Sequence, residues 1–415
     1  MTLWLSFGIL FIFAAIAFIL FRWGNMQCIG VTPVRKFTFI AILFTSGLDV
    51  GLIMFPLTEF AGYADLATSP EYGFTNPLAI EFGFWAFLIW AFYFVTCFYF
   101  CVIEPRVKFF EIPLIKFINN VIIIGTCAFT AYLLLTNLPW YLPGLTEDGS
   151  VVASFYLIVF LAIAAAVYSS TSIRYVRILS LGSSWLFFGL IIIMWSDAFA
   201  PDNSSVGQFI ATFGLIGEFF TTFALIGDYF ANINHFVLPL NDYHEFYLYW
   251  WFAWSIMIGQ FTSRFVSGMK TYQVLGAMMI FPSIPIAIWF SILYYYSLND
   301  ISTVGFSNLA MVIVGITFVI NSLDSLIRLY TDNLNLTVKR FGKAPYIIGN
   351  IALLSGLTLL FQLNFLQIQW VGALAIGLIL GCFAYMLLTH YRKVADIERS
   401  PKENKIDFTK IELMD

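Results

Sequence analysis

The stretch Asp242-Tyr-His-Glu-Phe-Tyr-Leu-Tyr-Trp-Trp-Phe-Ala-Trp254 continues without a charge as far as Arg264. A charged opening turn followed by an apolar segment of this length reads as a helix crossing a bilayer, with an aromatic mouth at one end. Trp250, Trp251 and Trp254 fall within five residues. At about 100° per residue they share one side of a helix. Tryptophan at a span end belongs first to the interfacial belt of membrane proteins. A second aromatic set, described below, gives these three another meaning.

The rest of the chain repeats that pattern. Of 415 residues, 60% are hydrophobic and only 11% charged, which no soluble globular domain tolerates. Apolar runs of helix length recur from end to end, so the expected fold is an all-α polytopic membrane protein embedded in a lipid bilayer. Eleven spans are predicted, at 3–23, 37–58, 79–103, 112–138, 151–171, 178–199, 246–266, 272–297, 305–328, 344–363 and 365–390. The first has no basic residue before it and no small-residue cleavage site, and is expected as a retained span.

Charge decides the count. With eleven spans, all 20 Lys and Arg residues fall on one side of the membrane, which the positive-inside rule makes the cytoplasm of a cell-membrane protein. The N-terminus is then outside and the C-terminus inside. The apolar stretch 206–231 would invert every later loop if it crossed. It is therefore expected as a helix on the outer surface, carrying Glu218 and Asp228. The tail 391–415 holds six basic and six acidic residues and is expected to be solvated. Five cysteines show neither metal spacing nor a pairing pattern. His235, His244 and His390 are scattered, and no nucleophile motif appears, so neither an enzyme nor a nucleic-acid binder is expected.

Three stretches within spans could carry chemistry. The second span contains Thr45-Ser-Gly-Leu-Asp-Val-Gly51, with Gly47, Leu48 and Gly51 placed where a helix can unwind and free carbonyls for an ion. Asp49 is too costly to face lipid and must meet a partner or a water-filled cavity. The third span contains Trp85, Trp90 and Tyr93, which a continuous helix would place on one arc. The ninth contains Asn321-Ser-Leu-Asp-Ser325, whose small oxygens suit either a hard cation or helix–helix hydrogen bonds. Two aromatic sets, a glycine segment and one buried acid together describe a cage for a methylated ammonium. Such a cation has no N–H to donate and is held by cation–π contact, about 0.5–2 kcal/mol per ring.

These residues resemble the betaine/choline/carnitine transporter family. The family signature Asp-Trp-Thr-x-Phe-Tyr-Trp-x-Trp-Trp-x-x-Trp is similar to 242–254, and its following Gly-x-Phe-x-x-Arg is matched by Gly259 to Arg264. Its aromatic box resembles Trp85, Trp90 and Tyr93 with Trp251 as the fourth wall. Its Gly-Met-Gly-Ile-Gly stretch looks like 47–51, the acid after it looks like Glu59, and Thr-Ser-Ala-Asp-Ser resembles 321–325. A loop of the family is weakly similar to 171–180.

The resemblance implies an inverted five-plus-five repeat with alternating access: 37–205 and 232–390 as the repeats, 1–36 as one extra N-terminal span with its loop. It implies a secondary transporter for choline, glycine betaine or carnitine, with Trp85, Trp90, Tyr93, Trp250, Trp251 and Trp254 at the substrate, where Asp49, a departure from the family, is expected to join them. It also implies a homotrimer. Thr45, Leu48, Asn321 and Ser322 stand where coupled members hold sodium. Asp49 in place of a glycine, Leu248 in place of a Trp and Asn321 in place of a Thr leave three roles open for the acid: a charge partner, a proton carrier, or part of an altered sodium site. Symport with Na+ or H+ therefore stays open, as do an amino-acid permease of the same fold and a non-transporting receptor.

Overall fold

In the computed structural model, residues 1–46, 50–198 and 216–397 are described. Helices account for nearly all of them: α1 (Thr2–Trp23), α2 (Lys36–Ser46), α3 (Val50–Met54), α4 (Pro56–Ala64), α5 (Pro77–Trp85), α6 (Leu88–Phe98) and, after a π turn, α7 (Glu104–Val107). Next come α8 (Pro113–Tyr141), α9 (Ala153–Ser170), α10 (Ile173–Ala198), α11 (216–224), α12 (Gly227–Ala231) and α13 (Asp242–Thr262). The chain ends with α14 (Thr271–Ile280), α15 (Ser283–Leu298), α16 (Phe306–Asn333), α17 (Val338–Phe341), α18 (Lys343–Gln362), α19 (Ile368–Thr389) and α20 (Tyr391–Ala395). Among the described residues, each of the eleven predicted ranges holds a helix or consecutive helices.

Eight of these segments are long and apolar enough to cross a membrane, the longest being Pro77–Val107, Pro113–Tyr141, Thr271–Leu298 and Phe306–Asn333. The protein is an all-α polytopic membrane protein. Local sequence sets several helix starts. Pro77 and Pro113 sit in first turns, where the missing N–H costs nothing. Asn76 and Asn241 cap α5 and α13, each accepting from a backbone N–H at 2.9 Å.

Lipid exposure follows packing. Of the apolar window of Pro77–Val107, 78% is buried, against 33% for Thr2–Trp23 and 28% for Lys343–Gln362, so the third span is central and the first and tenth peripheral. Helix α13 packs on α6 and α19, and its crossings are made close by glycine. A Cβ on Gly259 would stand 2.6 Å from the Thr96 carbonyl carbon, and one on Gly372 would stand 2.8 Å from that of Tyr249. Contacts come in matching pairs: α9 packs on α16 as α18 packs on α8, and α10 packs on α16 as α19 packs on α8.

The two ends of the bundle differ in charge. At one end a two-stranded antiparallel ladder pairs Gln27–Ile29 with Ser267–Lys270. Arg22 Nη2 donates to the Ala395 carbonyl at 2.7 Å, and Arg328 donates to the Ser169 and Ser172 carbonyls at 2.7 Å each. Lys343 lies 4.2 Å from the Tyr168 ring centroid. These contacts gather the basic loops at one end. The start of the predicted solvated tail is docked there instead, because Trp23 Nε1 also reaches the Ile397 carbonyl at 3.2 Å. The opposite end is acidic: Glu218 accepts from Tyr295 at 2.6 Å, and Asp228 accepts from Asn76 at 2.8 Å. The described part of 206–231 thus lies across that end as two short helices, bound at both acids.

Candidate functional site

Several spans are discontinuous, and in the second and third, side chains from other spans repair the break. In the second, Pro56 opens α4 and has no N–H to give the Leu52 carbonyl. Trp289 of α15 supplies it, its indole donating at 2.9 Å, while Tyr141 of α8 donates to the Met54 carbonyl at 2.7 Å. In the third, Ala86 is extended and Phe87 has φ +52°, a region a side chain adopts only when its surroundings enforce it. The Phe84 carbonyl accepts from Trp251 Nε1 at 2.7 Å, the Phe87 N–H donates to Ser283 Oγ at 3.0 Å, and the Leu88 N–H points to the Tyr229 hydroxyl at 3.4 Å. Without water, each such group left unpaired would cost several kcal/mol.

The third span is therefore not the continuous helix that would set Trp85, Trp90 and Tyr93 on one arc. The break divides them. Trp90 and Tyr93 meet edge to face in α6, centroids 5.2 Å apart at 80°. Trp85 instead stands edge-on to both rings of α13, 5.3 Å from Trp250 and 5.0 Å from Trp251. Those two stack at 4.8 Å and 11°. Tyr247 and Phe55 complete the cluster, 5.6 Å and 5.9 Å from Trp85. Trp254 is buried one turn beyond Trp250. The indole nitrogens of Trp85, Trp250 and Trp254 are buried without a hydrogen bond.

Gly51 makes this cluster fit. It was expected in an unwound segment, but it is helical, inside α3. Its use is room: a Cβ there would collide with Trp85 Cη2 and stand 3.0 Å from Trp250 Cη2. Rings this close to each other leave no space for a cation between Trp85 and the Trp250–Trp251 stack until a ring moves. Gly47, Leu48, Asp49 and the Thr45 side chain lie outside the described residues. Asn321 is buried on α16 and Ser322 is half-buried. Asp324, fully buried, pairs with Arg328 at 3.3 Å.

Beside the rings, toward the acidic end, stands a polar group that sequence reasoning only touched. Glu59 accepts from three hydroxyls: Tyr63, Tyr243 and Tyr247, the last at 2.9 Å. Tyr63 also lies 2.9 Å from Oε2 of Glu81, which is fully buried and whose Oε1 has no partner. Tyr247 joins the two parts of the site, its hydroxyl on Glu59 and its ring against Trp85. Behind them Asn241 donates to Glu71 and, at 2.8 Å, to the Tyr72 oxygen. Burial pushes the Tyr72 hydroxyl up to about 12, so it stays neutral. The signal for Glu81 was present: an acid inside an apolar span, one turn before Trp85.

No family model matches the chain. It is similar to uncharacterized transporters of Mycobacterium bovis and Mycobacterium tuberculosis, 32% identical over 53 residues. That match covers 13% of this chain and 9% of the length of each of those relatives.

Proposed function

We propose that this protein is a secondary transporter of quaternary ammonium compounds, choline or glycine betaine being the simplest. One observation carries the reading: Phe55, Trp85, Tyr247, Trp250 and Trp251, from three spans, converge beside the breaks in two of them. A methylated ammonium is recognised by ring faces, each within about 6 Å of the cation. The break gives Trp85 a hinge at Ala86–Phe87 about which it can leave the Trp250–Trp251 stack. A cation then takes the place of ring–ring contact, and the site closes around it.

Other observations support the reading. The short match is to proteins described as transporters. The paired contacts, α9 on α16 with α18 on α8, support two five-helix units exchanging equivalent surfaces, as inverted-repeat transporters with central sites are built. The segregated charge favours the basic end as cytoplasmic, and so the acidic end as outside. An inside-negative potential then contributes about 2.3 kcal/mol per 100 mV to uptake of a cation such as choline, and nothing to zwitterionic betaine.

The test is uptake of labelled choline and glycine betaine into proteoliposomes under an inside-negative potential, with and without sodium. Saturable accumulation of either, lost in Trp85→Leu, is the expected result. Uptake of plain amino acids with no competition by choline would overturn the substrate class and leave a permease.

A further inference from the structure

The hydroxyl of Tyr63 lies within hydrogen-bond reach of two carboxyl groups, Glu59 through Oε2 and Glu81 at 2.9 Å. A phenol has one hydrogen. It can donate to one carboxylate only, so the other contact is favourable only if that carboxyl carries a proton and donates to the phenol oxygen. The remaining contacts say which. Glu59 already accepts from Tyr243 and Tyr247, a setting that suits an anion. Glu81 is fully buried with Oε1 unpaired, which a neutral acid tolerates and an anion does not. The arrangement is Glu81–OH donating to Tyr63, and Tyr63–OH donating to the Glu59 carboxylate.

We propose that Glu59, Tyr63 and Glu81 form a binding site for one exchangeable proton, and that this proton is the coupling ion for transport through the neighbouring rings. The coupling half rests on the transport reading above; the proton site does not. The proton moves by a balanced relay. Glu81 gives its hydrogen to the Tyr63 oxygen as Tyr63 gives its own to Glu59, leaving Glu81 the anion and Glu59 the acid. Either way the pair holds one proton and one negative charge.

The groups around the pair are neutral or acidic. On α13 they are Tyr243, Tyr247 and His244, whose Nδ1 accepts from the Leu240 N–H at 3.2 Å. Glu71 and Tyr72 face it from the turn before α5, and Tyr294 of α15 touches Phe60, one residue from Glu59. Tyr141 of α8 is committed to the Met54 carbonyl at 2.7 Å. None of these supplies a positive charge, so a cation from solution is what balances the pair. Two carboxyls bridged through one hydroxyl suit a proton, because the bridge is itself a hydrogen bond. Mechanical linkage to the rings is short: Glu81 lies one turn from Trp85 on α5, and Tyr247 touches both Glu59 and Trp85. Because Tyr247 joins the acids to the rings, substrate and proton move together, as symport.

The test has two arms. Infrared difference spectra of the purified full chain, titrated from about pH 5 to pH 9, read the C=O stretch of a protonated carboxylic acid. One such band is expected to vanish in Glu81→Gln. In Tyr63→Phe, which keeps the ring and both acids, its titration is expected to move by about one pH unit or more. A band unchanged in both variants overturns the proton site. In proteoliposomes, an inward proton gradient is expected to drive accumulation of labelled choline or betaine by the wild type. Glu81→Gln is expected to keep exchange of labelled for unlabelled substrate and lose the response to the gradient. Gradient-driven accumulation unchanged in Glu81→Gln overturns coupling by this pair. The titrating band with no uptake by the wild type would overturn the transport reading and leave the proton site standing.

Discussion

Gly51 and Trp85 are in contact through the absence of a side chain: the edge of the Trp85 indole occupies the volume a Cβ on Gly51 would fill, with Cζ2 at 2.9 Å from that position. The second span therefore meets the third through an indole lying on bare helix backbone. Trp250 reaches the same spot from α13, so three spans meet at one glycine.

Gly51→Ala is accordingly expected to displace Trp85 and Trp250 rather than stiffen α3. In a packed core the added methyl costs about 1–3 kcal/mol. The displacement registers as a shift in tryptophan emission. Choline and betaine uptake are expected to fall with expression preserved. An alanine variant with wild-type emission and uptake would show that these rings have slack, and that the site is not built around this glycine.

Trp251 serves the break in the third span as well as the cage, and the two roles separate by substitution. Trp251→Phe keeps a ring face but removes the N–H that the Phe84 carbonyl accepts at 2.7 Å. An orphaned buried carbonyl costs about 1–3 kcal/mol. The phenylalanine variant is expected to melt lower in detergent and to retain measurable substrate affinity. Trp251→Leu is expected to lose both. Equal stability of Trp251→Phe and wild type would mean that the carbonyl finds another donor.

How much of this was legible beforehand can be said residue by residue. The all-helical, many-spanning character was, because twenty-residue apolar runs act over lengths that local error does not disturb. The break at Ala86–Phe87 was not, because Trp-Ala-Phe-Leu contains no glycine or proline. It exists because Trp251, Ser283 and Tyr229 come from elsewhere to hold it. The role of Trp289 was not legible, since an indole six spans away in sequence can be matched to a carbonyl only in the fold. Gly51 was read for backbone freedom when its value is space. The grouping of Trp85 with Trp250 and Trp251 was legible as composition and spacing; the separation of Trp90 and Tyr93 from them followed from the unseen break.

Gly259 differs from Gly51 in what it presses on. A Cβ there would meet Thr96 of α6, 2.1 Å from its Oγ1 and also 2.6 Å from its carbonyl carbon, and that backbone cannot swing aside as an indole can. Gly259→Ala is expected to force α13 off α6 and prevent stable folding. Thr96→Ala in the same chain is expected not to rescue it, because removing the side chain leaves the carbonyl in place. Size-exclusion profiles of the two variants measure this directly.

The repair of the second span offers the sharpest test, because it can be undone and restored. Trp289→Phe leaves the Leu52 carbonyl with no donor, since Pro56 has no N–H, and is expected to destabilise by about 1–3 kcal/mol. Pro56→Ala alone supplies a backbone N–H one helical turn along and competes with the indole, so a small change in stability is expected. The double variant is the informative one. With the indole gone, the alanine N–H is free to close the ordinary helical bond to Leu52, and stability is expected to recover most of what Trp289→Phe lost. That non-additivity is the signature of two groups serving one acceptor. Additive losses in the cycle would place the contribution of Trp289 in its packing against Phe187, 5.8 Å away, and not in its hydrogen bond. With the helix restored, α3 and α4 are expected to lose the freedom that the proline gives them. Uptake in the double variant is therefore expected to stay below wild type even as stability returns, which a melting curve and a transport assay on the same preparation would separate.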